Sequence, residues 1–120
     1  MTPTFLRYKT KRRVEFRDTD AAGIVHFSAF FVYMEQVEHE LLRSLGTSVA
    51  LRDDKGEIGW PRVSASCDYR SPARFEDVLD VVVSVERLGR KSVTYRFQFS
   101  RDEVEIASGS LTVVCCRVDP

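Results

Sequence analysis

Asp18-Thr19-Asp20-Ala21-Ala22-Gly23-Ile24-Val25-His26-Phe27 stands where the chain changes period, and that change decides the fold. Upstream, Leu6, Tyr8, Thr10, Arg12, Val14 and Phe16 alternate with charged or polar neighbours, which predicts a strand ending near Arg17. Downstream, Phe30, Met34, Val37, Leu41 and Leu45 recur at helical spacing, one stripe of an amphipathic helix from Ser28 to Leu45. Phe27, Phe31 and Leu42 widen that stripe, Ser28 is suited to the N-cap and Gly46 to the C′ position. A carboxylate at such a boundary faces the free N–H groups of a helix N-terminus. An ionised base and an oxyanion donor can then converge on one substrate carbonyl.

The rest of the chain reads as strands. Thr47 to Gly59 is polar, with Asp53-Asp54-Lys55-Gly56 as a turn signal, and predicts a surface excursion. Pro61, Val63, Ala65, Cys67 and Tyr69 form the apolar set of an alternating run that Pro72 closes. Leu79, Val81, Val83 and Val85 form the next strand, which ends at Leu88-Gly89-Arg90. Val93, Tyr95, Phe97 and Phe99 have the cleanest period of two, and Val104 to Val118 closes the series, with Gly109 as a bulge. The short connections between the last three strands require antiparallel neighbours. The order β-α-β-β-β-β defines an α+β domain of one helix against a five-stranded antiparallel sheet. A curled sheet would bury most of the helix, and its other face must be covered or polar.

Length and composition narrow the function. The 120 residues make one domain, 1–120, without linker or repeat. Eighteen cations balance eighteen acids, which argues against a protein that wraps nucleic acid or coats an anionic membrane, so any basic patch must be local. Met1 to Lys11 has no apolar leader core, and no apolar run approaches the roughly 18 residues of a membrane span, so the expected location is cytoplasmic. The odd cysteine count and the adjacent Cys115-Cys116 suit reduced thiols packed as small hydrophobes. Asp18-x-Asp20-x-Ala22-Gly23 imitates a calcium loop, but Ala22 offers no ligand oxygen and Ala29 stands where a bidentate Glu is needed. No Cys/His spacing suits zinc, so no metal site is expected.

The run from Val14 to Phe27, with Asp18-x-Asp20-x-x-Gly23-Ile24-Val25 at its centre, resembles the 4-hydroxybenzoyl-CoA thioesterase family of hotdog-fold proteins. Ser71-Pro72-Ala73-Arg74-Phe75-Glu76-Asp77 and Leu88-Gly89-Arg90-Lys91-Ser92 extend the resemblance over nearly the whole chain. It implies a curved sheet wrapped around one long central helix, and homo-oligomers, dimers or tetramers, with the active site at a subunit interface. It also implies an acyl-CoA thioesterase acting on an aryl or short to medium acyl group. Coenzyme A is then part of the substrate, and no separate cofactor is required.

Residue by residue, the resemblance makes Asp20 the nucleophile or general base and the Phe27 backbone N–H the oxyanion donor. A backbone donor places no demand on the side chain. Glu35 corresponds to an acid that touches the acyl group, although its spacing also suits an i,i+4 pair with His39. Gly23 and His26 fall beside the substrate, and Arg90, Lys91 and Ser92 match the segment that approaches CoA, a position a solvated hairpin would also explain. Arg62, Arg70 and Arg74 are lesser phosphate candidates, Arg74 with Asp77 also suiting a braced turn. Asp18 reads as a turn or capping residue. Two alternatives share these residues: a hotdog hydratase or dehydratase built on Asp20 and His26, and a non-catalytic subunit that binds acyl-CoA or an acyl-carrier protein. Asp20 itself favours the enzyme. The acyl pocket would take its shape from Phe30, Phe31, Tyr33, Met34 and a neighbouring subunit.

Overall fold

In the computed structural model, which describes residues 6–118, the opening alternation forms β1 (Arg7–Arg13). The ends of the expected 1–120 domain, residues 1–5 and 119–120, lie outside the described residues. The strand stops earlier than its pattern predicts, because the Val14 N–H and C=O turn to Asp77 O and Glu76 N at 2.8 and 2.9 Å. Phe16–Asp18 winds into a short 3-10 helix held by reciprocal Glu15 and Asp18 side-chain bonds, and Phe16 lies exposed against Phe75.

Helix α1 (Ala29–Ser44) follows. Ser28 does not cap it: its backbone is already helical, and its hydroxyl meets His26 Nδ1 at 2.7 Å. Gly46 does close it, at φ +80°, with its N–H on Arg43 O at 3.0 Å and that of Thr47 on Leu42 O at 2.9 Å. Phe30, Met34, Val37 and Leu41 are buried as the stripe predicts, whereas Leu45 is exposed and Tyr33 and Glu38 are buried instead.

The strands after the helix are β2 (Leu51–Asp53), β3 (Gly56–Gly59), β4 (Arg62–Tyr69), β5 (Val78–Leu88), β6 (Ser92–Arg101), β7 (Val104–Val114) and β8 (Cys116–Arg117). Five of them form one antiparallel sheet, as expected, and its strand order is β1-β5-β6-β7-β4 by the observed pairing. The polar excursion is itself structured: β2 and β3 form a hairpin that pairs with β8 in a second, three-stranded sheet. The last predicted strand breaks at Cys115, whose N–H leaves the ladder for Lys91 O at 2.6 Å. Gly109 is not a bulge. It pairs in register with Phe97 and Cys67, and the irregularity lies at Ile106, between the Phe99–Ala107 and Ser100–Glu105 pairs. A Cβ at Gly109 would overlap Met34 Sδ and come within 3.2 Å of Ser66 O, so glycine lets the helix settle on the sheet.

Leu79, Val81, Val83, Tyr95, Phe97, Phe99 and Val113 supply the buried face against which α1 packs. Burial of each such side chain contributes about 1.5–3 kcal/mol. The opposite face is polar, lined by Thr94, Arg96, Ser108 and Thr112, with Thr94–Thr112 and Arg96–Ser108 bonds of 2.9 and 2.8 Å. Edge strand β4 departs from its pattern, since Val63 is 59% exposed and only Cys67 of that strand is half-buried. Cys67 still packs against the core and Tyr69 against Phe30 at 5.5 Å between ring centroids, but the rest of the strand is exposed.

Glu40 ties β1 to the helix. It accepts from the Tyr8 and Thr10 hydroxyls at 3.2 and 2.8 Å and pairs with Arg12, whose Nε donates to Gln36 at 3.0 Å. Burial pushes the Glu40 carboxyl up, but Thr10, Arg12 and Tyr8 together hold it below its ordinary value. A lowered folded value means stability present above the unfolded pKa of about 4.3 and lost as pH falls through the folded one. Glu40→Gln is therefore expected to lower the Tm at pH 7, with the gap from wild type closing below about pH 4. A gap that stays constant from neutral to strongly acidic pH would show that the clamp acts by packing alone.

Candidate active site

The Asp20 segment folds as a tight hairpin. Gly23 N–H donates to Asp20 O and Asp20 N–H to Ile24 O, both at 2.9 Å, and Gly23 takes φ +79°, a conformation glycine adopts without strain. Asp20 Oδ1 accepts the Ala22 N–H at 2.8 Å, the self-bracing of an Asx turn, and Oδ2 has no partner among the described residues. Two backbone bonds of 2.8 Å pin the hairpin to its surroundings, Val25 N–H to Ala73 O and His26 N–H to Asp18 O. Asp18 is structural, as its reading predicts: Oδ2 accepts the Glu15 N–H at 2.9 Å and the Tyr33 hydroxyl at 2.8 Å. Burial, and then the Asp18 carboxylate, push that tyrosine hydroxyl above its ordinary pKa.

Asp20 and Phe27 line one cavity of about 470 Å³, walled by Ile24, Val25, Phe30, Tyr69 and Pro72, with Arg70 at its side. Phe27 lies in the turn before the helix, which begins only at Ala29. Its N–H meets no acceptor among the described residues, while its carbonyl accepts the Tyr69 hydroxyl at 3.0 Å. The Phe27 ring is 61% exposed and stacks on His26 at 4.4 Å. Asp20, with one unengaged carboxylate oxygen, and Phe27, whose N–H has no partner among the described residues, thus line one largely apolar pocket. That pairing suits attack on a carbonyl carbon and stabilisation of the oxyanion it produces.

The other candidates lie elsewhere in the chain. Glu35 faces Arg62 at 3.7 Å, in a separate cavity of about 180 Å³ with Phe31, Met34, Ala65 and Leu111, and it pairs with neither Asp20 nor His39. His26 lines a neighbouring cleft of about 880 Å³ with Lys11, Arg13, Arg17 and Tyr33. Arg90, Lys91 and Ser92 form the β5–β6 turn, where the Gly89 N–H closes on Ser92 O at 2.9 Å. Ser92 pairs with Val114 while Tyr69 pairs with Ala107, so seven residues of β7, about 23 Å, separate that turn from the Asp20 end of the sheet.

Among the lesser cations, Arg62 is bound to buried Glu38, and Arg70 reaches Glu105 at 4.0 Å. The Arg74 turn is braced through its N–H, which donates to Asp77 Oδ2 at 2.8 Å, and Asp77 pairs with Arg101 instead. Sequence reasoning missed Tyr69 as a cavity wall and the Glu38–Arg62 pair. The signal for the pair was a charge inside the apolar stripe, Glu38 falling between Val37 and Leu41. Cys67, Cys115 and Cys116 are free thiols, and burial pushes that of Cys67 up. Among the described residues no group of three His, Cys, Asp or Glu side chains converges on a point, and no helix is long and apolar enough to cross a membrane.

One long helix lying on an antiparallel sheet is the hotdog architecture, and the chain's relatives are thioester hydrolases. The chain belongs to the thioesterase superfamily, whose family model matches residues 22–108. A 1,4-dihydroxy-2-naphthoyl-CoA hydrolase of Synechococcus sp. (strain CC9605) is 32% identical over 105 residues, covering 83% of this chain and 70% of that protein. The crystal structure of a 1,4-dihydroxy-2-naphthoyl-CoA thioesterase from Synechocystis superposes with TM-score 0.86 at 25% identity, covering 94% and 84% of the two chains. A gentisyl-coenzyme A thioesterase superposes with TM-score 0.84 at 33% identity, covering 92% and 89%. The resemblance drawn from the motif therefore holds at the level of the superfamily.

Proposed function

We propose that this chain hydrolyses acyl-CoA thioesters with an aryl or short to medium acyl group, releasing the acid and free CoA. The observation that carries this reading is that Asp20 and Phe27, whose N–H has no partner among the described residues, line one cavity. Asp20 either attacks the thioester carbonyl, giving a mixed anhydride that water cleaves, or deprotonates the attacking water. The Phe27 N–H holds the carbonyl oxygen as it becomes an oxyanion. Aromatic walls from Phe27, Phe30 and Tyr69 suit a flat acyl group, and the relatives named for hydroxylated aryl-CoA esters point the same way. The chemistry asks for no metal or redox cofactor, and the expected setting is the cytoplasm. The hydratase alternative loses its second residue, since His26 opens onto a different cleft from Asp20.

The site is completed, in this reading, by a second copy. The exposed β4 edge offers unpaired backbone groups to another strand. Two copies joined antiparallel along β4 would bring the Arg62 end of one to the Tyr69 end of the other. The first end bears the Arg90–Ser92 turn and the second the Asp20 cavity, so one subunit would hold the CoA phosphates while its partner cleaves the ester. Glu35, near that edge, would then face the acyl group.

Thiol release over a panel of aryl, short-chain and long-chain acyl-CoA esters tests the proposal. Turnover is expected on aryl or short to medium esters. Binding of acyl-CoA with no thiol released from any ester would favour the non-catalytic subunit instead.

A further inference from the structure

Two tyrosine hydroxyls hold the two halves of the candidate site. That of Tyr33 fastens the Asp20 hairpin through Asp18 at 2.8 Å. That of Tyr69 donates to the Phe27 carbonyl at 3.0 Å, on the residue whose N–H is assigned to the oxyanion. Phe27 has few other ties. It belongs to a two-residue turn ahead of α1, its ring is mostly exposed, and its N–H has no partner among the described residues. In a regular helix its carbonyl would take the Phe31 N–H, but that group donates to Ser28 O at 3.1 Å instead. The direction of the Phe27 N–H is therefore set by the two peptide planes that flank its Cα.

The first plane, His26–Phe27, is set by the His26 carbonyl, which accepts the Ala29 N–H at 2.9 Å and so fixes the N–H on the opposite edge of the same planar unit. The second plane, Phe27–Ser28, is gripped at one edge by Tyr69. Its other edge, the Ser28 N–H, lies 3.2 Å from His26 Nδ1, a nitrogen that the Ser28 hydroxyl engages more closely at 2.7 Å. The hold from the sheet thus rests on Tyr69. That residue is itself anchored: its backbone pairs with Ala107, and the next two N–H groups both donate to Ile106 O, at 2.9 and 3.2 Å. Its ring packs on Phe30, which packs in turn on the buried Phe99. We infer that Tyr69 is a positioning residue for the oxyanion donor, tying the Phe27 backbone to the sheet so that the N–H is aimed before substrate arrives. The inference rests on the thioester-hydrolase reading and gives the hydroxyl a task that a ring serving only as cavity wall would not need. Desolvation, and then the neighbouring Cys67 thiol, push that hydroxyl above its ordinary pKa, so it stays a donor through the neutral range.

Tyr69→Phe tests this, because it keeps the ring and deletes only the hydroxyl. Outright loss of an oxyanion donor costs about 10²–10³ in rate, and loosening one that stays in place is expected to cost about tenfold in kcat. KM and the position of the pH profile should not change, and the urea midpoint should stay close to wild type. The second readout is the infrared stretch of an isotope-labelled thioester carbonyl bound to Asp20→Asn, which falls when a donor polarises the bond. Adding Tyr69→Phe is expected to move that stretch back towards its value in solution. An unchanged kcat would overturn the inference. So would a loss confined to KM, which would make Tyr69 a contact of the acyl group, or a fall in kcat that leaves the carbonyl stretch where it was. If the wild type cleaves no ester, the hydrolase reading fails, and the stretch of an ester bound to wild type and to Tyr69→Phe decides positioning separately. A shift lost in the variant would sustain it, and no shift in wild type, or an equal one in both, would end it.

Discussion

Replacing Asp20 by Asn is expected to lower kcat for thioester hydrolysis by about 10³-fold or more, with little change in stability. The carboxylate is exposed, and its one internal bond accepts the Ala22 N–H at 2.8 Å, which an amide oxygen can also accept. The hairpin should therefore keep its shape while losing the base. KM for the CoA ester should stay close to wild type, since the proposed phosphate-binding turn, Arg90–Ser92, lies at the other end of the sheet. Thiol release and urea unfolding on the same preparation separate the two effects. Equal turnover by wild type and variant would remove Asp20 from the chemistry, and parallel losses of activity and stability would make it a turn residue only.

Arg62→Ala should lower stability by about 3 kcal/mol, the low end for one partner of a buried ion pair because the arginine is partly exposed. Glu38 is 1% exposed, and both its oxygens are bound by Arg62, Nη1 reaching Oε2 at 3.2 Å. The His39 ring is the next polar group, at 3.8 Å. Burial and the Glu38 carboxylate push the Tyr95 hydroxyl up to about 12, a sign of how little solvent reaches this corner. Without the guanidinium, a carboxylate would be stranded between the helix and the sheet. A fall in Tm of roughly 10 °C is expected. Converting both residues to Leu should restore much of it, because apolar replacement of a whole buried pair is close to neutral. A loss below about 1 kcal/mol for Arg62→Ala would show that water already satisfies Glu38.

The period of two in Val93, Tyr95, Phe97 and Phe99 was fully legible, since those side chains pack on one helix and nothing local competes. The helix was legible too, apart from its ends and Leu45, because capping depends on where a side chain finds its partner. Ser28 has the right chemistry for an N-cap but spends its hydroxyl on His26. Phe16 continues an alternating pattern although the backbone has already turned, as Val14 finds its partners at Asp77 and Glu76. The β2–β3–β8 sheet was invisible because its strands are two to four residues long and mostly polar. At the site, the motif placed Asp20 and Phe27 in one cavity. The resemblance put Glu35, His26 and the Arg90 turn beside the substrate as well, but within one chain they lie away from the Asp20 cavity, because their positions depend on which edge of the sheet each segment reaches.

The turn bearing Asp20 is fastened on three sides: to Ala73 through Val25, to the helix through Asp18 and Tyr33, and to itself through Gly23. A loop held this way is a wall and not a lid. It leaves substrate binding nothing to organise there, so turnover is expected to be timed by bond cleavage or by the departure of acid and thiol, and not by movement of this loop. Slowing the hairpin's motion by cooling or viscosity should therefore matter less than changing the leaving group.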